Sequence, residues 1–247
     1  MDWHTSALPT LAGIGILVSI TSAALAVHGV KPWAAAGLAV IRAAAQLAVL
    51  SLLLSAVIEE LAWVWAALCV MFVAAVLTAA RRLRADARML PSISAAMVLG
   101  AGATLAVVFL TGALQLTPPN VLAVGGIIIG NTMTITTLTG RRYHSSLVAR
   151  REEVEGWLAL GATPRQSTLD IARLAVRESL IPSIDQTRTT GLVVLPGAFV
   201  GAVFAGASPL EAGRFQLVVL AGILTAGSLV AVSLAGMLSR ARTVPTA

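Results

Sequence analysis

An all-α, polytopic membrane protein is the fold class this sequence predicts, and three observations carry the prediction. Of its 247 residues 57% are hydrophobic and only 11% are charged, where a soluble domain carries roughly a quarter charged residues. Mean hydropathy is +0.90. Seven segments, roughly 8–27, 36–57, 61–80, 92–112, 119–139, 189–207 and 215–238, approach the length of apolar chain needed to cross a bilayer as helix. Residues 1–247 therefore read as a single transmembrane domain.

The N-terminus, Met1-Asp2-Trp3-His4, lacks the basic region of a cleaved signal peptide, so the first segment is expected to stay as a span. Between the segments lie a Lys31-Pro32 turn, Glu59-Glu60, an arginine cluster, Thr117-Pro118-Pro119, a polar island at 141–188, and Ser208-Pro209 with Glu211 and Arg214. Fifteen of the seventeen basic residues fall on one set of loops: Lys31; Arg81, Arg82, Arg84 and Arg88; Arg141, Arg142, Arg150, Arg151, Arg165, Arg173, Arg177 and Arg188; Arg240 and Arg242. Only Arg214 lies opposite, and Arg42 lies within a span. The positive-inside rule then puts the N-terminus outside and the C-terminus in the cytoplasm of an inner (plasma) membrane protein. An odd number of spans satisfies this. The net charge of +6 follows from the same loops, and no nucleic-acid partner is expected.

Several polar groups fall inside spans. Arg42 and Gln46 share a helix face, and a charge at that depth costs several kcal/mol unless paired or hydrated. Two readings stand: Arg42 holds a neighbouring helix, or it borders a translocation path. As a cation it is no metal ligand. Asn131, Thr134 and Leu138 trace one side of the fifth span, with Thr132, Met133, Thr136 and Thr137 beside it. They either satisfy helix contacts or line the path, with Asn131 and Met133 near substrate. Gly126-x-x-x-Gly130 and Gly197-x-x-x-Gly201 permit close helix approach. Pro196 is expected to kink the sixth span as a hinge. Asp185 and Arg188, just before it, read as an ion pair at the cytoplasmic edge. Cys69 is the only cysteine, so there is no internal disulfide and no cysteine-based metal cluster within one chain. His4, His28 and His144 sit in different loops, and the sequence assigns no metal ligands.

The island carries most of the charge. Val154, Trp157, Leu158 and Gly161 make one apolar stripe, and Arg150, Arg151, Glu152, Glu153 and Glu155 cover much of the rest. Gly161 suits the left-handed residue that ends a helix. Thr163 then reads as an N-cap, Pro164 as the first helical residue and Gln166 as the partner in a capping box. This second helix is expected to run to about Leu180 and stop at Pro182. It shows Leu169, Ala172, Val176 and Leu180 on one side and Asp170, Arg173 and Arg177 on another. An amphipathic pair lying on the anionic inner leaflet and a docking helix for a cytoplasmic partner both fit the periodicity.

Glu155-x-x-x-x-Leu160-Gly161-Ala162-Thr163, followed downstream by Ile181-Pro182, resembles the cytoplasmic coupling loop of ABC transporter permeases. Arg42-x-x-x-Gln46-Leu47, Gly130-Asn131-Thr132-Met133, Leu158 to Pro164 and Gly191 to Gly197, extended by Gly201, Gly206, Ser208-Pro209 and Gln216, resemble the Fet-type iron-export permeases and their plant aluminium-tolerance relatives. The resemblance spans residues 42 to 216. It implies that Glu153, Glu155, Trp157, Leu158, Leu160, Gly161, Ala162 and Thr163 dock on an ATPase subunit. It departs from the family after Leu195-Pro196-Gly197, where relatives often carry methionines, a threonine and a glutamine. This chain has Ala198-Phe199-Val200-Gly201-Ala202, which bears on iron as substrate more than on the transporter class.

No phosphate-binding loop is present, and the only lysine is Lys31. The chain alone is thus not an ATPase, nor is any catalytic residue expected. ATP and Mg²⁺ would be bound by a separate ABC ATPase subunit, and two permease chains would serve the ATPase pair as a homodimer. A permease for a non-metal solute is the nearest alternative. An ion-coupled secondary transporter or channel fits less well, because every Asp and Glu falls in a loop or at a span edge. An intramembrane enzyme lacks its signatures: there is no HExxH and no Gly-x-Ser-x-Gly.

Overall fold

The computed structural model describes residues 3–32, 34–57 and 60–240. Glu59 and Arg242 lie outside the described residues, as does the side chain of His4. Among the described residues the chain is helical with no strand, apart from an isolated bridge between Thr190 and Val194. It divides into two compact units, 1–59 and 60–247.

The first unit is a helical hairpin, α1 (Trp3–Val27) and α2 (Ala35–Val57). Gly29, with φ +66°, closes α1: its N–H donates to the Ala26 carbonyl and that of Val30 to the Leu25 carbonyl. The hairpin packs at Gly37, where Val18 would stand 3.3 Å from an added Cβ. Arg42 and Gln46 sit one turn apart on α2, both exposed.

The second unit holds α3 (Leu61–Leu83), α4 (Leu90–Leu110), α5 (Pro118–Ala149), α6 (Arg151–Ala159), α7 (Pro164–Ser167), α8 (Leu169–Thr189), α9 (Gly197–Phe204) and α10 (Pro209–Leu238). Its centre is α5, whose Val121, Val124, Ile128 and Thr132 are fully buried. Close contacts at glycines set the register. Leu68 meets Gly125 and Leu83 meets Gly140, so α3 runs parallel to α5. Ile128 meets Gly222 and Ile135 meets Gly227, so α10 also runs parallel to α5. Gly100 lies against Val230 and the Ala226 carbonyl, and Thr104 against Gly222, so α4 runs the other way. This alternation brings Arg81 and Arg82, Arg141 and Arg142, and Arg240 to one end of the unit.

Five helices are long and apolar enough to cross a membrane among the described residues: Leu8–Val27, Leu61–Leu83, Leu90–Leu110, Pro118–Ala149 and Pro209–Leu238. The stretch Ala35–Ser51 adds a shorter apolar helix. The expected sixth span, 189–207, is not one helix. Here α8 ends at Thr189, residues 190–196 leave helical geometry, and α9 supplies only eight residues, about 12 Å of rise. Pro196 stands before α9 as its N-cap rather than kinking a helix from within. Gly191, at φ +88°, turns the chain in the break.

A second expectation is corrected at Pro182. The helix does not stop there but runs through the proline to Thr189. One lost backbone hydrogen bond is tolerated where neighbouring helices hold the segment, and Ser179 and Ser183 on either side of Pro182 are both buried. Nor does one helix start at Pro164 and run on unbroken: α7 is a single turn, and the chain resets at Thr168.

Candidate functional site

Two regions collect the residues that sequence reasoning singled out. The first is the island. Val154 is buried against Tyr143, Leu147, Ile171 and Ala175, which anchors α6 to the end of α5 and the start of α8. Leu158 packs on the same cluster. The α6 helix ends in a Schellman motif: the Gly161 N–H donates to the Leu158 carbonyl, the Ala162 N–H to the Trp157 carbonyl, and Gly161 takes φ +91°. Thr163 restarts the chain with the expected capping box. The Gln166 N–H donates to Thr163 Oγ1 at 3.4 Å, and the Thr163 N–H donates to Gln166 Oε1 at 2.9 Å.

The consequence is a sharp, pre-set corner with an apolar tip. Trp157 is 52% exposed and Leu160 82% exposed. Between them and α8 lies a groove of about 440 Å³ that Arg150, Glu153, Gln166 and Asp170 also line. Beside it, Arg150 pairs with Glu153 at 2.6 Å and Arg151 with Glu155 at 2.7 Å. These intrahelical pairs hold the acidic residues of α6 in place with little effect on stability, since water screens exposed pairs.

The hydrogen bond from Arg150, reinforced by its charge, holds the Glu153 carboxyl below the ordinary glutamate range, and the same bond raises Arg150. A lowered folded value means the pair is complete above the ordinary value of about 4.3 and is lost only as pH falls through the lower one. By carboxyl NMR titration Glu153 is expected to titrate below that ordinary value. Arg150→Gln is expected to return it there, and an unmoved titration in the variant would remove Arg150 as the cause.

The second region is the outward stripe of α5 and its continuation on α8. Thr132, Thr136, Thr137 and Thr139 point into the packed core. Asn131, Met133 and Leu138 are half-buried and Thr134 is exposed. The side predicted from Asn131, Thr134 and Leu138 is therefore real, and it faces away from the core. Among the described residues Gly126, Gly130, Gly197 and Gly201 make no tight helix contact, the nearest being Met71 at 3.4 Å from a Cβ on Gly126. The close approaches belong to Gly100, Gly125 and Gly140, which the Gly-x-x-x-Gly pattern does not find. Arg42 and Gln46 belong to the other unit, on α2.

Along α8, Thr139 Oγ1 donates to Ser179 Oγ at 2.9 Å, and Arg142 pairs with Glu178 at 3.2 Å. Thus α8 runs antiparallel to α5. Asp185 and Arg188 do form the expected pair, at 3.6 Å, but beyond Ser179 rather than at the arginine-rich end. The hydroxyls of Thr104 and Thr136 and the side-chain oxygen of Gln216 are buried without hydrogen-bond partners among the described residues. Among the described residues no group of three or more His, Cys, Asp or Glu side chains is gathered to hold a metal.

A family model described as an uncharacterised protein family, UPF0014, matches residues 8–242. The chain belongs to UPF0014. This UPF0014 protein is 37% identical over 134 residues to the probable iron export permease protein FetB of Escherichia coli (strain K12), covering 54% of this chain and 52% of the relative. It is 35% identical over 184 residues to the membrane protein STAR2 of Oryza sativa subsp. japonica, covering 74% and 65%. It is 36% identical over 162 residues to the protein ALUMINUM SENSITIVE 3 of Arabidopsis thaliana, covering 66% and 59%. The matched segments thus span about half to two thirds of these relatives' own lengths. No solved structure matches the chain.

Proposed function

We propose that this chain is the membrane-spanning permease subunit of an ATP-driven ABC transporter that exports a metal ion, with α6, the Gly161 corner and Thr163 as its coupling element. The observation that carries this reading is the pre-set corner. A helix lying flat on lipid gains nothing from a Schellman stop joined directly to a capping box, and it would bury Trp157 and Leu160 in the same plane as the rest of its apolar face. Here Val154 and Leu158 anchor α6 inward while Trp157 and Leu160 project from the groove. That arrangement suits insertion into a cleft on another protein, where a buried aromatic anchor contributes most of the affinity.

The arginine-bearing end is then cytoplasmic, the N-terminus is outside, and α8, the break and α9 together make the sixth of seven crossings. ATP and Mg²⁺ bind to the partner ATPase, not to this chain. Two copies of the chain face two ATPases, and closure of the ATPases rocks the helices through α6. The iron export named for the Escherichia coli relative makes a metal cation the substrate class.

The test is copurification of the chain from its native membrane. A P-loop ATPase is expected to accompany the wild type, and Trp157→Ala with Leu160→Ala is expected to weaken that association at least about ten-fold, the loss of one aromatic hot spot. A wild-type preparation without any ATPase, or a double variant that holds it unchanged, rules the coupling role out.

A further inference from the structure

The furrow between α5 and α8 carries charge well away from the arginine-rich end of the unit. Thr139 is level with Ser179 through their hydrogen bond. Asp185 lies six residues farther along α8, about 9 Å at 1.5 Å per residue, and the antiparallel run sets it level with Met133. Arg188 is level with Gly130, about 16 Å along α5 from Arg141. With Arg141 taken as the membrane edge, that is near the middle of a hydrocarbon core about 30 Å thick. The helix stays against its neighbours past Pro182, because Ser183 is buried. Asp185 stands two turns beyond Glu178 on the same face, and Glu178 reaches Arg142 of α5. On α5, Leu138, Thr134 and Asn131 continue the line from Arg142. The Asp185 and Arg188 side chains are 59% and 76% exposed in the single chain.

The hydrogen bonds in this furrow decide what it offers. Asn131 Nδ2 donates to the Ile127 carbonyl, and Thr134 Oγ1 donates to the Gly130 carbonyl at 3.1 Å. One of the two Asn131 amide N–H groups and the Thr134 O–H are used within α5, which leaves both side-chain oxygens able to accept. Asp185 adds a carboxylate. Arg188, one turn along α8, lies on that carboxylate at 3.6 Å. Just beyond, the helix breaks at residues 190–196, and discontinuous helices at mid-membrane are where transporters hold ions.

We propose that Asp185, with the oxygens of Asn131 and Thr134, forms the mid-membrane transit site for a hard, oxygen-preferring divalent cation, and that Arg188 occupies the carboxylate until the cation displaces it. This rests on the permease reading above and names its substrate class: oxygen donors without thiolate or imidazole suit hard ions such as Mg²⁺, Ca²⁺ or Mn²⁺ over soft ones. The alternating pairing also explains how an acidic residue is carried so deep. Its charge is neutralised by Arg188 when the site is empty and by the cation when it is filled.

Mn²⁺ is the probe. The full chain, reconstituted in lipid vesicles, is titrated with Mn²⁺ and the bound ion is counted by electron paramagnetic resonance. Asp185→Asn is expected to weaken binding at least about ten-fold, and Arg188→Gln to tighten it about ten-fold by freeing the carboxylate, one ion-pair contact each way. Opposite shifts from neighbouring residues are not produced by misfolding. Equal binding in wild type and both variants, or loss in both, overturns the proposal. ATPase copurification is measured on the same preparations. If the ATPase is absent while the Mn²⁺ shifts appear, the coupling reading fails and the site stands; if the ATPase is present and the shifts are absent, only the site fails.

Discussion

Gly161→Val is expected to weaken ATPase association strongly while leaving the membrane-embedded helices folded. Gly161 holds φ +91°, a region closed to a β-branched residue, and even αL costs an L-residue about 1–2 kcal/mol. That strain falls on an exposed corner with nothing within 4 Å of an added Cβ. The chain therefore relieves it locally, by opening the bonds from Gly161 to Leu158 and from Ala162 to Trp157. Trp157 and Leu160 then lose their fixed angle to Val154, which remains anchored in the core. Thermal unfolding of the whole protein should hardly move. Association should drop at least about ten-fold, the equivalent of 1.4 kcal/mol. Gly156→Ala is the control. It lies inside α6 with open space around it, and should be neutral or slightly stabilising through helix propensity. If Gly161→Val binds the ATPase as the wild type does, the corner is not what the partner reads.

Much of this site was legible in the sequence because its signals are local. The capping box at Thr163 and Gln166 and the glycine stop at Gly161 each depend on residues within one turn, and both appear as read. The outward stripe of Asn131, Thr134 and Leu138 was legible for the same reason, since helical period alone fixes it. The sixth crossing was not. Hydropathy joins Thr189 to Ala207 because Leu192, Val193, Val194 and Leu195 are as apolar as any span, and an apolar run says nothing of a break within it. Pro182 looked like a stop because propensity weighs the lost hydrogen bond and cannot weigh the helices that hold the segment around it. Once α8 continues to Thr189, Asp185 and Arg188 move along it away from the arginine-rich end, and that displacement is what the proposed mid-membrane site rests on. The depth of a charge depends on which helix carries it, which is a tertiary fact.

Gly100→Leu is expected to be the most damaging single change in the membrane-embedded part. A Cβ at this position would lie 2.8 Å from the Ala226 carbonyl oxygen and collide with a Val230 methyl. Backbone on the far side leaves no flexible end to swing away, unlike Gly125 and Gly140, where the neighbours are the tips of Leu68 and Leu83. Accommodating even alanine requires α4 and α10 to separate. Overpacking of a well-packed contact typically costs about 1–3 kcal/mol, and the larger side chain of leucine should take the loss to the upper end of that range or past it. The effect should spread, because α10 also packs on α5 through Gly222 and Gly227. In detergent, Gly100→Ala should lower the unfolding midpoint by several degrees, and Gly100→Leu should leave little folded protein. Gly102→Ala, with nothing within 4 Å, should match the wild type. A Gly100→Ala variant as stable as Gly102→Ala means that α4 and α10 do not meet at this glycine, and the antiparallel register of α4 falls with it. That register carries function as well as stability. On the proposed coupling role, motion starting at α6 would pass to α8 and α10 through the cluster of Val154, Ile171 and Ala235, and α4 would follow α10 as one body only while the contact at Gly100 stays closed.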